Sequence, residues 1–131
     1  MRKLGLTLLL LLLSVQVLSH EIRPSYLELV QQTDDSYRVT WKVPAKGNKL
    51  HLSLYVRFDK GVESLSEPVS HFANGAYVSQ WNIRHQAGLV GSKISIEGLQ
   101  STFTEALVSI KRLDGSVQMA RLMPSSPMMI V

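Results

Sequence analysis

Histidine is the residue type through which this chain could do metal chemistry, because it contains four histidines and no cysteine. His20 would become the N-terminal residue if the chain were cut after Ser19. Its imidazole and the freed α-amino group could then chelate one ion, and such nitrogen donors suit Cu(II) and Ni(II). Glu21 and the other three histidines are the candidate further ligands, and none is spaced as a local motif. His20 is therefore the one residue predicted as a metal ligand, and a polar N-terminus without metal is the more common alternative.

The other three histidines are predicted to be surface residues. His51 lies on the outward row of its strand, and His71 and His85 lie at loop edges. Their spacing indicates no acid–base pair. The chain has no G-x-S-x-G nucleophile elbow, and its Gly-Leu-Val-Gly run at residues 88–91 lacks the Lys-Ser/Thr of a phosphate loop. No residue pattern favours an enzyme.

The residues before His20 are typical of a cleavable secretory signal. A basic start precedes a strongly apolar run of about fifteen residues, 4–18. This run is shorter than the roughly twenty residues of a membrane-spanning helix. We expect a signal peptide at residues 1–19, with an uncleaved anchor as the alternative. Since no cysteine follows the run, a lipid-modified N-terminus is excluded.

The remaining residues have the size of one domain with a modest core. Removing Arg2 and Lys3 leaves twelve basic residues against ten acidic ones, so the mature chain is only weakly basic. The basic residues are scattered, whereas a nucleic-acid surface needs clustering with interleaved aromatics. We therefore expect no nucleic-acid partner. Without cysteine there is neither a disulfide nor a thiolate metal site.

Apolar and polar residues alternate with a period of two, which predicts strands and no helix. The predicted domain, residues 20–123, is an all-β, antiparallel two-sheet sandwich of immunoglobulin-like type, with a small barrel as the alternative. Residues 62–71 are weakly patterned, and residues 124–131 are predicted to be a linker or tail. Seven strands are predicted, at residues 26–31, 37–43, 50–58, 76–84, 93–97, 105–113 and 116–123.

The alternation also predicts which side chains face the core. Trp41 lies on an apolar row and is predicted to be a core residue, whereas the facing of Trp81 is ambiguous and leaves open a role as a ligand platform. The predicted inward rows are Leu27 and Leu29; Val39, Trp41 and Val43; the even-numbered residues of 50–58; Ile94 and Ile96; Val108 and Ile110; and Val117 and Met119.

Four blocks of the chain resemble, in the right order, the extracytoplasmic domain of HupE/UreJ family membrane proteins. The first is His-Glu-Ile-Arg-Pro-Ser-Tyr-Leu-Glu-Leu at residues 20–29, directly after a leucine-rich signal. The other three are Tyr-Arg-Val-Thr-Trp-Lys-Val-Pro at 37–44, Gly-Leu-Val-Gly-Ser-Lys-Ile-Ser-Ile-Glu-Gly-Leu at 88–99, and Glu-Ala-Leu-Val-Ser-Ile-Lys-Arg-Leu-Asp-Gly-Ser at 105–116.

This resemblance implies a β domain that precedes a bundle of transmembrane helices in proteins associated with nickel or cobalt uptake. The family's metal-handling His/Asp motif lies in a membrane helix, so no transport residue can be assigned in this sequence, which stops near the expected start of the linker to the membrane part. Family members often carry a cysteine pair in this domain, and this chain has none.

The sequence therefore predicts a non-enzymatic, exported domain at the outer face of the inner membrane, without a resident cofactor. It would be the N-terminal portion of a HupE/UreJ-like nickel/cobalt permease or a stand-alone accessory to one. Its expected partner is the membrane part of such a permease or another envelope protein. One alternative is an immunoglobulin-like envelope module that binds protein along an exposed strand edge. A second is a periplasmic Ni/Cu-binding module that uses His20.

Overall fold

The computed structural model describes residues 23–46 and 50–131, and within them the predicted all-β sandwich is confirmed. In this part of the chain two separate sheets face each other, and the helical content is one 3-10 turn, Leu99–Ser101. The predicted signal peptide and His20 lie outside the described residues. The strands in chain order are β1 (Ser25–Gln31), β2 (Ser36–Lys46), β3 (Leu50–His51), β4 (Tyr55–Phe58), β5 (Glu63–Ser64), β6 (Val69–Ala73), β7 (Ala76–Arg84), β8 (Lys93–Glu97), β9 (Ala106–Lys111), β10 (Val117–Leu122) and β11 (Met128–Ile130).

The larger sheet has the order β10-β9-β1-β2-β7, with β5 and β6 both pairing with β7 and with β3 on the end of β2. The smaller sheet has the order β11-β8-β4. Pairing is antiparallel except between β1 and β9, which run parallel. The sequence suggested antiparallel pairing throughout, and the parallel pair of β1 and β9 is an exception to it. A parallel pair needs a long connection, which the chain between β1 and β9 supplies.

The core lies between the sheets and follows the alternation of the strands. In β2 every second residue from Tyr37 to Ala45 is buried, and the residues between them face outward or are partly exposed. The predicted rows on β1, β2, β8 and β9 are confirmed as buried, as is Trp41. The fully or almost fully buried apolar side chains include Leu27, Leu29, Val39, Val43, Ile83, Leu89, Ile94, Ile96, Leu99, Val108 and Ile110.

The predicted long strand at residues 50–58 is wrong, because the chain changes sheets within it. Leu50 and His51 pair with the end of β2, whereas β4 pairs with β8 in the other sheet. Leu50 and Leu52 are consequently exposed, and Leu54 is the first buried residue after the crossing. The even-numbered apolar row is continuous in sequence, but only its second half faces the core.

The inward face of β10 is the reverse of the predicted one. Directly opposed residues of an antiparallel pair share a face of the sheet, and the register of β9 and β10 places Ala120 opposite Val108. Met119 lies opposite Ser109 and is 69% exposed, and Val117 is also exposed. The pairing that the Asp-Gly turn at residues 114–115 produces thus decided the facing of β10.

Residues 124–131 are part of the fold, so the predicted linker or tail is wrong. After a bridge between Met123 and Ser126, β11 pairs with β8, and Met129 packs against the core. The Ile96 N–H donates to the Pro127 carbonyl at 3.0 Å. Buried backbone groups need such partners, and this segment supplies them to the central strand of the smaller sheet.

Candidate functional site

The candidate site is a cleft between the sheets at one open side of the sandwich. The larger sheet extends past the smaller one there, so the inner faces of β6 and β7 are incompletely covered beside β4. The cleft has a volume of about 310 Å³, which is the low end for small-molecule pockets. Its lining combines aromatic residues with two serines and one histidine, and includes Trp41, Trp81, Tyr77, His51, Ser70 and Ser79.

The two tryptophans form the deep wall of the cleft. Trp41 on β2 is 5% exposed, and its indole N–H donates to the Leu54 carbonyl at 3.1 Å. This hydrogen bond joins the larger sheet to the crossing segment just before β4. Trp81 on β7 faces the same side because it pairs directly with Val39 of the inward row on β2. The ambiguous facing of Trp81 is thereby resolved: it is half-buried, packs against the core and lines the cleft.

An aromatic cluster forms the rim of the cleft. The imidazole of His51 stacks on the ring of Tyr77, with centroids 4.1 Å apart and planes 4° from parallel. Phe72 packs tilted against Tyr77 at 4.9 Å. Offset stacking and tilted packing are the favourable geometries for aromatic pairs. The stack therefore holds the Tyr77 ring between β3 and β6.

Polar groups in the cleft are few and mostly paired. The Ser70 and Ser79 hydroxyls, opposite each other on β6 and β7, form a hydrogen bond of 2.8 Å. At the mouth the Arg57 guanidinium pairs with Glu97 and lies 5.6 Å from the centroid of the Tyr55 ring. Since the charge of Arg57 already has a partner, the cleft offers mainly apolar and aromatic contact. Such a lining suits the binding of an apolar side chain.

The three histidines that the structure describes lie at different places in the fold. His51 is exposed, as predicted, but its ring belongs to the rim of the cleft. His71 lies within β6, opposite Val78, and not at a loop edge. His85 directly follows β7, and its backbone N–H donates to the Asp35 carbonyl. In residues 23–46 and 50–131 no three His, Asp or Glu side chains are grouped so that they could hold a metal ion.

Three of the described residues have shifted pKa values, and all three lie away from the cleft. Hydrogen bonds from Ser116 hold the pKa of the Asp114 carboxyl, in the turn before β10, below its usual value. Hydrogen bonds from Thr33 and Arg84 hold the pKa of the Asp35 carboxyl below its usual value. Burial raises the pKa of the Tyr37 phenol, although the nearby Arg112 charge opposes the rise. Asp35 and Tyr37 stabilise the fold at the opposite end of β2 from the cleft, so neither is a candidate for chemistry in it.

A comparison with protein-family models finds no family that matches this chain, and a search of curated proteins finds no match either. The part of the chain that the structure describes contains no helix long and apolar enough to cross a bilayer. The resemblance to HupE/UreJ family proteins thus rests on the four sequence blocks alone.

The cleft is the candidate site that the sequence prediction missed. A signal was present in β7, where Tyr77, Ser79 and Trp81 occupy alternate positions and therefore share one face. That row contains large aromatic residues without the continuous aliphatic pattern of a fully covered core. Its openness depends on the neighbouring sheet ending at β4, which a local pattern does not show.

Proposed function

We propose that this chain is a non-enzymatic, exported β-sandwich domain that binds a membrane partner protein through the cleft beside β4. The observation that carries the proposal is the partly covered aromatic wall formed by Trp81 and Tyr77. Exposed apolar surface of this kind, bordered by polar groups, marks interaction sites on soluble domains. The polar groups in the cleft are few and mostly paired, which favours binding over catalysis.

The resemblance described above supports a particular class of partner. Its four blocks cover most of β1 and β2 and all of β8 and β9, which form the centres of the two sheets. The blocks therefore coincide with the scaffold of the sandwich, and the cleft is formed mainly by residues 50–84 between them. The proposed partner is the membrane part of a HupE/UreJ-like nickel or cobalt permease, and the proposed location is the periplasmic face of the inner membrane.

A second candidate function uses the same cleft with a different partner. The domain would then be an immunoglobulin-like binding module for another envelope protein, without a role in metal uptake. β4 is the edge strand of the smaller sheet and lies next to the cleft. This edge supports the second candidate as strongly as the first, because many kinds of protein bind a partner along a strand edge. The identity of the partner separates the two candidates.

Co-purification tests the proposal. The mature chain, starting at His20, is co-expressed with a tagged HupE/UreJ-like membrane protein of the same organism and isolated in detergent. Ser70→Phe should fill the cleft and lower retention about tenfold, which is about 1.4 kcal/mol of binding free energy. Val69→Phe is the matched control, because Val69 is the neighbouring residue on β6, faces the outer surface and is 70% exposed.

The outcomes of this experiment separate partner from site. Retention of the wild type and of Val69→Phe, with loss of Ser70→Phe, supports both the partner and the cleft. Equal retention of all three would place the contact on another surface. Failure of the wild type to be retained would contradict the permease proposal and leave the envelope-protein candidate.

A further inference from the structure

Among the described residues, the edge of β4 at the cleft has backbone groups that no other strand pairs with. In the smaller sheet Val56 of β4 lies directly opposite Ile96 of β8. The Ile96 N–H points away from β4, because it donates to Pro127 on the other side of β8. Val56 and Ile96 are therefore a non-hydrogen-bonded pair, in which the N–H and C=O of both residues point away from each other. The N–H and C=O of Val56 thus point away from β8, at the edge of the smaller sheet that borders the cleft.

The chain just before β4 is held by other contacts. The Leu54 carbonyl accepts the hydrogen bond from the Trp41 indole, and the Leu54 N–H donates to the Leu52 carbonyl in a tight turn. The outward-pointing backbone of the edge therefore begins within β4, where Val56 lines the cleft. Among the described residues, β4 pairs with β8 alone, which leaves this edge unoccupied by a strand.

The dimensions of a sandwich fit one more strand at this position. Neighbouring strands lie about 4.8 Å apart, and facing sheets lie about 10 Å apart. A strand added beside β4 would therefore lie above the inner face of β7. Its inward side chains would contact Trp81, Tyr77 and the Ser70–Ser79 pair, where the smaller sheet ends too early to cover the larger one.

We propose that the cleft binds an extended segment of the partner protein, which adds to the smaller sheet as a fourth strand beside β4. This inference deepens the proposed function and depends on it for the identity of the partner. The segment carries apolar side chains at alternating positions, because one face of it meets the aromatic wall. The side chains between them lie on the outer surface beside Tyr55 and Arg57 and are polar or β-branched. Backbone pairing with Val56 orients the segment, and the aromatic contacts supply most of the affinity.

The probe is a synthetic peptide. Its sequence is selected from a displayed library of random decapeptides for binding to the mature chain. Each amide of the peptide is methylated in turn, and its affinity is measured by isothermal titration calorimetry. Since only alternate N–H groups of a strand face its neighbour, methylation at every second position within the paired stretch should weaken binding about tenfold or more. Methylation at the positions between should leave the affinity nearly unchanged. The modification is on the peptide, so the fold of the protein is not affected.

Protein variants locate the peptide. Ser70→Phe should abolish peptide binding, whereas Val69→Phe should bind as the wild type does. A peptide whose affinity is insensitive to every methylation, or whose binding survives Ser70→Phe, would overturn the inference. A library that yields no binding peptide, while the wild type is still retained by the membrane protein, would also overturn it and leave the proposed function standing. If peptide affinity fell at alternate methylated positions but the membrane protein did not retain the wild-type domain, the strand site would be supported and the proposed partner rejected.

Discussion

At the scale of the residue, two side chains of one type take different roles because their neighbours differ. Trp41 is covered by both sheets, and its indole N–H has a carbonyl partner. Trp81 lies one strand further out, where the smaller sheet no longer covers it fully. A similar contrast holds for His51, which is exposed and yet ordered by its stack on Tyr77. Residue type indicates what a side chain can do, and the adjacent strand determines whether it does so.

His20 gives a prediction at this scale, since it lies outside the described residues and its metal site stays a prediction. The mature chain starting at His20 should bind Ni(II) or Cu(II) through its imidazole and α-amino nitrogens. A form extended by Ser19 no longer has this donor pair on one residue and should bind about tenfold more weakly. Calorimetric titration of both forms measures the difference. Equal affinities would remove the N-terminal chelate from consideration.

At the scale of the element, the end of β7 is tied to the turn between β1 and β2. The Arg84 Nε donates to the Asp35 carboxylate at 2.8 Å, and the His85 N–H donates to the Asp35 carbonyl. Thr33 donates a further hydrogen bond to the same carboxylate. These contacts fix the turn against the strand that forms one wall of the cleft. An exposed ion pair contributes modestly to stability, so its effect is clearest in the pH dependence.

We predict that stability falls at acid pH partly through Asp35. Its pKa in the fold is lower than the ordinary value of 3.8, because hydrogen bonds from Thr33 and Arg84 favour the ionised form. The stabilisation is therefore present above the unfolded-state pKa and is lost as the pH falls through the folded-state pKa. Asp35→Asn should lower the free energy of unfolding at pH 7, and its difference from the wild type should shrink below about pH 4.

Urea unfolding at pH 7 and pH 3 measures this difference. Asp34→Asn is the control, because it removes the same charge from the adjacent position and keeps the contact between Asp35 and Arg84. Equal stability of Asp35→Asn and Asp34→Asn at pH 7 would show that the ionised contact with Arg84 does not stabilise the fold. A stability difference between Asp35→Asn and the wild type that is the same at pH 3 as at pH 7 would show the same.

At the scale of the whole molecule, the two sheets are connected where the chain crosses between β3 and β4. The crossing passes close to Gly98, just after β8. A Cβ added to Gly98 would lie 2.6 Å from the Ser53 carbonyl oxygen, and the residue has φ 92°, which favours glycine. Both the close approach and the left-handed backbone therefore require glycine there. The same crossing supplies the Leu54 carbonyl that Trp41 binds, so it also positions β4 at the cleft.

We predict that Gly98→Ala destabilises the fold more than Gly115→Ala does. Gly115 also has a positive φ, but a Cβ there meets nothing within 4 Å. Gly115→Ala should thus lose only the backbone preference, about 1 kcal/mol. Gly98→Ala should lose about 1–3 kcal/mol more because the crossing must move. Chemical unfolding of both variants measures the difference. Equal losses of stability in the two variants would show that the crossing segment can move away from residue 98 without a measurable energetic penalty.

The sequence by itself determined the local properties of this protein. Alternation along β1, β2, β8 and β9, with the Asp114-Gly115 turn between the last two predicted strands, predicted an all-β sandwich and most of its buried rows. These features are local, because side chains of a strand alternate between two faces and tight turns depend on a few backbone angles.

Only the tertiary structure decided which face of β10 is buried, that residues 50–58 cross between sheets, and that β11 completes the smaller sheet. Each depends on which strands become neighbours and in what register, and a period of two does not contain this information. The cleft follows from the same cause. It exists because the larger sheet continues to β7 and β6 while the smaller one ends at β4, and the widths of two facing sheets are settled only when distant segments pair.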